Sequence, residues 1–265
     1  LEDTIKSNLF SIIGFTMDFL QILSEIQPDI ETVLTIGVFD GVHVGHCHLL
    51  NEVVNQAGTK YIPTVMTFTN HPAAVINSEL TIQNLSTPEQ KTRLISNQGI
   101  KLIVQIPFDH DLASVSAAIF AQALSDHLKI AGLVIGPDFA LGKDREGNYS
   151  VLKALGAKLG FWVSSVSPLI IDGLPVKSRR IRQDLVAGSI GNVTKQLGRF
   201  FSLSGSVTTG NKKGRELGFP TANLSLSENM LLPGDGIYAT WATVNHQTYQ
   251  SATSIGIRPT FGLTE

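Results

Sequence analysis

The twelve residues Thr35-Ile36-Gly37-Val38-Phe39-Asp40-Gly41-Val42-His43-Val44-Gly45-His46 constrain this chain more than any others. The apolar, β-branched run from Val33 to Val38 predicts a buried strand. Asp40-Gly41 breaks it in a turn, and Leu49, Leu50, Val53 and Val54 then follow in a helical pattern. Strand, glycine turn and helix start together make an anion site: glycines let the backbone approach closely, and a helix N-terminus offers unpaired N–H groups and a positive dipole end. His43 and His46, three residues apart on the first turn, can face one oxyanion side by side. Gly37, Phe39, Asp40, Gly41 and Gly45 are the other candidate positions of this phosphate site. A zinc cluster of His43, His46, His48 and Asp40 is the competing reading. Against it, His48 lies two positions from His46 and so on another face, and no cysteine pair accompanies the group.

Composition narrows the setting. A chain of 265 residues with 43% hydrophobic and 16% charged residues has material for one large domain or two ordinary ones. A formal charge of -2 disfavours nucleic acid as the main partner, since phosphate neutralisation calls for a basic surface. Cys47 is the only cysteine, which excludes internal disulfides and fits a reducing, cytoplasmic setting. Leu9 to Leu23 is apolar, but Thr16, Asp18 and Gln21 interrupt it and it is too short to span a bilayer. It also lacks the basic start and cleavage site of a secretory signal, so a soluble protein without membrane contact is expected.

In chain order, an edge strand is expected over Phe10 to Phe15 and a short helix over Met17 to Ile26. Beyond the central stretch, strands are expected over Tyr61 to Phe68, Lys101 to Ile106, Gly132 to Gly136 and Phe161 to Val166. Between them fall helices led by Thr87-Pro88-Glu89, over Ser114 to Leu128, and over Tyr149 to Leu159. This alternation predicts an α/β fold, a parallel sheet with helices on both faces and its ligand at the carboxyl ends of the strands. The loops 37–46, 69–72 and 136–147 all fall at that end. A hairpin is expected around Asp172-Gly173, and Val186 to Leu197 reads as a helical connector. From Ser202 onward the period becomes alternating, over Ser202 to Thr208, Gly236 to Asn245 and Gln247 to Ile257, which predicts a small antiparallel barrel or sandwich and a boundary near residue 190.

Three further segments carry candidate chemistry. The glycine-punctuated loop Gly136 to Gly147, with Asp138, Phe139 and Gly142, reads either as a flap over an adenosine or flavin or as a plain surface loop. Lys177-Ser178-Arg179-Arg180-Ile181-Arg182 opens a helix with four cations, which suits a triphosphate or a solvated basic turn equally. Gly214 to Asn223 ends in Pro220-Thr221-Ala222-Asn223. Its hydroxyl and amide, two residues apart on one side of an extended strand, are hard oxygen ligands suited to Mg²⁺ carrying a nucleotide. A proline turn closing a barrel is the alternative.

These residues carry a resemblance. The Gly37 to His46 run resembles the HxGH nucleotidyltransferases, and specifically the bacterial bifunctional riboflavin kinase/FMN adenylyltransferase family. In family order follow Thr67-Phe68 before His71-Pro72, Gly136-Pro137-Asp138-Phe139 with Gly142, Ile181-Arg182, Leu197-Gly198-Arg199, Gly214 to Asn223, and Ile255 to Phe261. The resemblance implies a Rossmann-like adenylyltransferase domain over 1–190 and a β-barrel kinase domain over 191–265. It implies that ATP phosphorylates riboflavin to FMN, that a second ATP adenylylates FMN to FAD, and that both steps need Mg²⁺. In that scheme His43 and His46 hold the α-phosphate oxygens, Arg182 and Ser178 hold the β and γ phosphates, and His71, Asp138, Phe139 and Gly142 line the flavin or adenosine cleft. Thr221 and Asn223 place Mg-nucleotide, and Gly210 and Gly214 close over its phosphates. Two departures stand out. Lys177-Ser178-Arg179 replaces the family's Ser-Ser-Thr run, and the family's barrel, with its catalytic glutamate, continues beyond residue 265, so the kinase part reads as incomplete. A nucleotidyltransferase with another acceptor, and a homologue that binds flavin without turnover or keeps one activity, are the alternatives.

Overall fold

The computed structural model describes residues 17–209, 218, 221–227 and 229–256; the expected edge strand over Phe10 to Phe15 lies outside them. The chain divides into two compact units, residues 1–82 with 88–175, and residues 83–87 with 176–265.

The first unit is built on a parallel sheet of β1 (Thr32–Ile36), β2 (Ile62–Phe68), β3 (Leu102–Ile106), β4 (Ile130–Ile135) and β5 (Trp162–Ser165). The strand order is β3-β2-β1-β4-β5. β1 is central and buried along its whole length, which is why it reads as an unbroken apolar and β-branched run. Successive side chains enter opposite layers. Leu34, Ile36, Leu133 and Ile135 pack with α1 (Met17–Glu25), α6 (Ala117–Leu128) and α7 (Tyr149–Leu159) through Phe19, Leu23, Phe120, Leu124, Leu128 and Leu152. Val33, Val65 and Val134 meet Leu50, Val53 and Ala57 of α2 (Val44–Ala57) and Ile95 of α4 (Pro88–Ser96) on the other side. Short helices α3 (Pro72–Ile76) and α5 (His110–Ser114) lie in the crossovers, unannounced by any periodicity because each is only five residues long. Since connections from β1 run to β2 on one side and those beyond β3 return to β4 on the other, the sheet reverses direction beside β1. Such sheets hold their ligands at the carboxyl ends of the strands flanking that reversal. The hairpin β6 (Ile170–Ile171)–β7 (Leu174–Pro175) turns through Asp172-Gly173, both at positive φ, as expected.

The second unit opens with α8 (Ser178–Val186) and α9 (Ile190–Leu197), which pack together. The expected single connector is broken between them, where Gly188 adopts a φ of 69°. Compact packing therefore changes unit at Pro175, ahead of the alternating pattern that suggested residue 190. Two antiparallel pairs follow: β8 (Gly205–Thr208) with β9 (Asn223–Leu226), and β10 (Gly236–Val244) with β11 (Gln247–Ile255). The second pair turns tightly through Asn245-His246, both left-handed. Among the described residues these are two separate antiparallel sheets of two strands each, the kind of pairing a small barrel is built from. The segment 83–87 belongs here as well. The Asn84 N–H donates to the Asn229 carbonyl at 2.6 Å, and the Leu231 N–H donates to the Asn84 carbonyl at 2.9 Å. Among the described residues no helix is long and apolar enough to cross a membrane.

Candidate active site

The first candidate site is the turn from β1 into α2. Beyond Ile36, the Gly37 N–H donates to the Met66 carbonyl of β2 at 3.1 Å, and the Thr67 hydroxyl donates to the Val38 carbonyl at 3.1 Å. A side chain on Gly37 would meet the ring of Phe39 at 3.0 Å. Phe39, Gly41 and Val42 all have positive φ, at 52°, 74° and 37°. Left-handed backbone at Phe and β-branched Val is strained, and such strain gathers at functional sites. It persists here because the rings and methyls of Phe39 and Val42 are buried.

The strained turn delivers His43 as the N-cap of α2, where its Nδ1 accepts the His46 N–H at 3.1 Å. An accepting Nδ1 carries no proton, so the neutral ring holds its proton on Nε2, a donor suited to an oxyanion. The His43 and His46 rings stack face to face, centroids 3.6 Å apart and 13° from parallel, with Phe39 set edge-on to His46 at 5.1 Å. The Nδ1 of His46 is buried without a hydrogen-bond partner among the described residues. Burial, and then the neighbouring His43, hold the His46 pKa well below the ordinary histidine value. An unpartnered ring nitrogen on a strained turn at a sheet's reversal is a polar group with hydrogen-bonding capacity to spare. Among the described residues no group of three His, Cys, Asp or Glu is placed to hold a metal ion, and His48 is exposed.

His71 and the 136–147 loop stand at neighbouring strand ends. His71 caps α3, its Nδ1 accepting the Ala73 N–H at 3.2 Å. Asn70 fixes that loop to the end of β3: its amide donates to the Phe108 carbonyl and accepts the Phe108 N–H, each at 2.8 Å. The loop after β4 is braced rather than loose. The Arg145 guanidinium donates to the Asp138 carbonyl at 2.8 Å, the Glu146 carboxylate accepts the Ala117 N–H at 2.7 Å, and the Lys143 N–H donates to the Val115 carbonyl at 2.7 Å. Phe139 packs against the apolar layer. Gly142, at φ 77° and ψ 172°, lies so close to α6 that a β-carbon would stand 2.5 Å from the Ala117 nitrogen.

Two residues here escaped the sequence reading. Asn70 was adjacent to a singled-out histidine, but nothing in the sequence pairs it with Phe108. Lys91, on α4, donates from Nζ to the Phe68 carbonyl at the end of β2, at 2.7 Å. Burial lowers its pKa, partly offset by the nearby Asp40, which is itself only 5% exposed. A single lysine in an amphipathic helix gives no sequence signal of its neighbours.

The second unit carries the other candidates. Ser178 is the first residue of α8, and Lys177 precedes it without a side-chain capping bond. Arg180 lies 4.0 Å from Asp184, and the Arg182 Nε donates to the Gln83 carbonyl at 3.0 Å. Asn223 begins β9 opposite Thr208, and Thr221 is exposed just before it. Gly210 and Gly214 lie outside the described residues.

A reversing parallel sheet with a glycine–histidine turn at its centre defines a nucleotide-handling α/β protein, here joined to an antiparallel second unit. Comparison with known proteins narrows the class. The family described as FAD synthetase matches residues 25–180, and the one described as riboflavin kinase matches residues 197–265. The bifunctional riboflavin kinase/FMN adenylyltransferase of Buchnera aphidicola subsp. Schizaphis graminum is 36% identical over 234 residues, 87% of this chain and 75% of that protein. Its namesakes in Escherichia coli K12 and Pseudomonas fluorescens are each 32% identical, over 88% and 92% of this chain and 75% and 79% of their own lengths. A crystal structure titled as a macrolide-efflux protein from Streptococcus pneumoniae superposes with a TM-score of 0.81 at 29% identity, over 90% of this chain and 78% of that one. The chain belongs to the bifunctional riboflavin kinase/FMN adenylyltransferase family, and is accordingly an enzyme that transfers phosphorus-containing groups.

Proposed function

We propose that this chain makes both flavin nucleotides. Residues 191–265 use ATP to phosphorylate riboflavin to FMN, and residues 1–190 join FMN to the AMP part of a second ATP. The observation that carries the second step is the stacked, partly orphaned histidine pair on the strained turn after β1. An FMN phosphate oxygen attacks the α-phosphorus of ATP, the bond from that phosphorus to the bridging oxygen breaks, and pyrophosphate leaves. No protein nucleophile is needed, so the protein's task is positioning and stabilising charge on the phosphate oxygens.

His43, with its proton on Nε2, donates to an α-phosphate oxygen, and His46, stacked on it in the same first turn of the helix, meets the same anion. The N–H groups opening α2 add their dipole. Ser178 and Arg182 hold the β and γ phosphates, while His71, Asp138, Phe139 and Gly142 border the flavin or adenosine. In the kinase half Thr221 and Asn223 offer a hydroxyl and an amide oxygen, a donor set that fits Mg²⁺ beside a nucleotide. The ion would supply positive charge to the phosphates. Gly210 and Gly214 are the further candidates for that phosphate site. The enzyme works in the cytoplasm on riboflavin, FMN and ATP, with no nucleic acid or membrane as partner.

The test is incubation of the protein with riboflavin, Mg²⁺ and ATP labelled in the α or γ position. FMN carrying the γ label and FAD carrying the α label are expected. Flavin that binds tightly yet stays unchanged would overturn the proposal, and pyrophosphate released only with a non-flavin acceptor would redirect it.

A further inference from the structure

Helix α3, which His71 caps, buries none of its five residues, so packing alone does not set its position. Its place follows from how the chain enters it, and each of the three residues ahead of His71 is tied to a different partner. The Phe68 carbonyl accepts from the Lys91 Nζ of α4 at 2.7 Å. The Thr69 N–H donates to the Ile106 carbonyl at 3.0 Å, which extends the β2–β3 pairing past the end of β2. The Asn70 side chain then takes over from the backbone, its amide donating to the Phe108 carbonyl and accepting the Phe108 N–H, each at 2.8 Å. A side-chain amide that closes both its groups on one residue copies the reciprocal bond pair by which one strand residue holds another. Asn70 is exposed, where water could serve both groups equally well, so the pairing matters for fixing the chain rather than for satisfying polar atoms. The Phe68 and Phe108 rings, set edge-on at 5.4 Å, join the same two segments. The residue that follows is His71, whose Nδ1 accepts the Ala73 N–H, so the proton of its neutral ring sits on Nε2.

We propose that Asn70 is a positioning residue for adenylyl transfer: locked onto Phe108, it fixes where His71 presents its Nε2–H to the nucleotide. This rests on the reading of His71 as part of the flavin or adenosine border. Asn70 itself touches no substrate. It acts through the ring beside it, and a misplacement of about 1 Å in such a group is enough to spoil alignment of the reactants.

The experiment is a double-mutant cycle of Asn70→Ala and His71→Ala in the full chain. It reads kcat and KM for FMN and for ATP in FAD formation from supplied FMN, with FMN formation from riboflavin and thermal melting as controls. Asn70→Ala should raise KM for the substrate that His71 borders by about five- to tenfold, change kcat less, and leave FMN formation as it was. With His71→Ala already present, the further effect of Asn70→Ala should shrink to about twofold or less. An equal effect in both backgrounds would mean that Asn70 acts without His71, and the inference would be overturned. Loss of both activities together with a lower melting temperature would mark a purely structural role and overturn it too. Should Asn70→Ala fail to fold, Asn70→Ser, whose hydroxyl keeps one bond to Phe108, is read the same way. An unaltered chain that forms no FAD overturns the site and this inference together; one that forms FAD alongside an unimpaired Asn70→Ala overturns the inference alone.

Discussion

His43 has two duties in one ring: Nδ1 caps α2, and the cap leaves Nε2 as the protonated nitrogen. Replacement by alanine should therefore cost about 1 kcal/mol of stability from the lost cap. It should also cut FAD formation roughly 10²- to 10³-fold, the usual effect of removing one donor to a developing oxyanion. Assays with supplied FMN, set beside melting curves, separate the two losses. His46 gives a pH prediction. Its folded pKa is depressed, so the unfolded chain takes up a proton near pH 6.5 while the folded ring stays neutral. Its stabilising contribution is present above about pH 6.5 and is lost as pH falls toward the folded value. Melting temperatures between pH 7.5 and pH 5 should fall more steeply for the native protein than for His46→Gln; parallel curves would remove the claim.

At the level of elements, the sequence reads well where period and punctuation are strong. All five parallel strands appear within a few residues of their expected limits, because two-sided burial demands uninterrupted apolar runs at β1, β2 and β4. Tyr149–Leu159 matches its expected span, with Asn148 capping the first turn and Gly160 in left-handed conformation after the last. What stayed hidden depends on distance along the chain. The Asn70–Phe108 pairing spans 38 residues, and the Glu146–Ala117 bond spans 29. Neither leaves a local pattern, so the sequence leaves the 136–147 loop open between a flap and a plain surface loop and gives no sign of its tie to α6. That bracing yields a test. Gly142→Ala places a methyl against the Ala117 nitrogen in a backbone region that only glycine occupies readily. It should destabilise the protein by about 1–3 kcal/mol, seen as a lower melting temperature, with FAD formation falling as the loop shifts.

For the whole molecule, the candidate residues fall into both compact units: the histidine turn in the first, and Ser178, Arg182, Thr221 and Asn223 in the second. Asn223→Ala should abolish FMN formation while FAD formation from supplied FMN continues at its former rate; equal loss of both would refute separate sites. The segment 83–87 sets a constraint on any attempt to study the units singly. Although it lies between β2 and α4 in the sequence, it packs with the second unit, through the Asn84 bonds to Asn229 and Leu231 and the Arg182 bond to Gln83. No single cut can part the two: an excised fragment ending at residue 175 would carry a strip of its neighbour's fabric with bare amides, and anyone dissecting this enzyme must splice out those five residues as well as stop early.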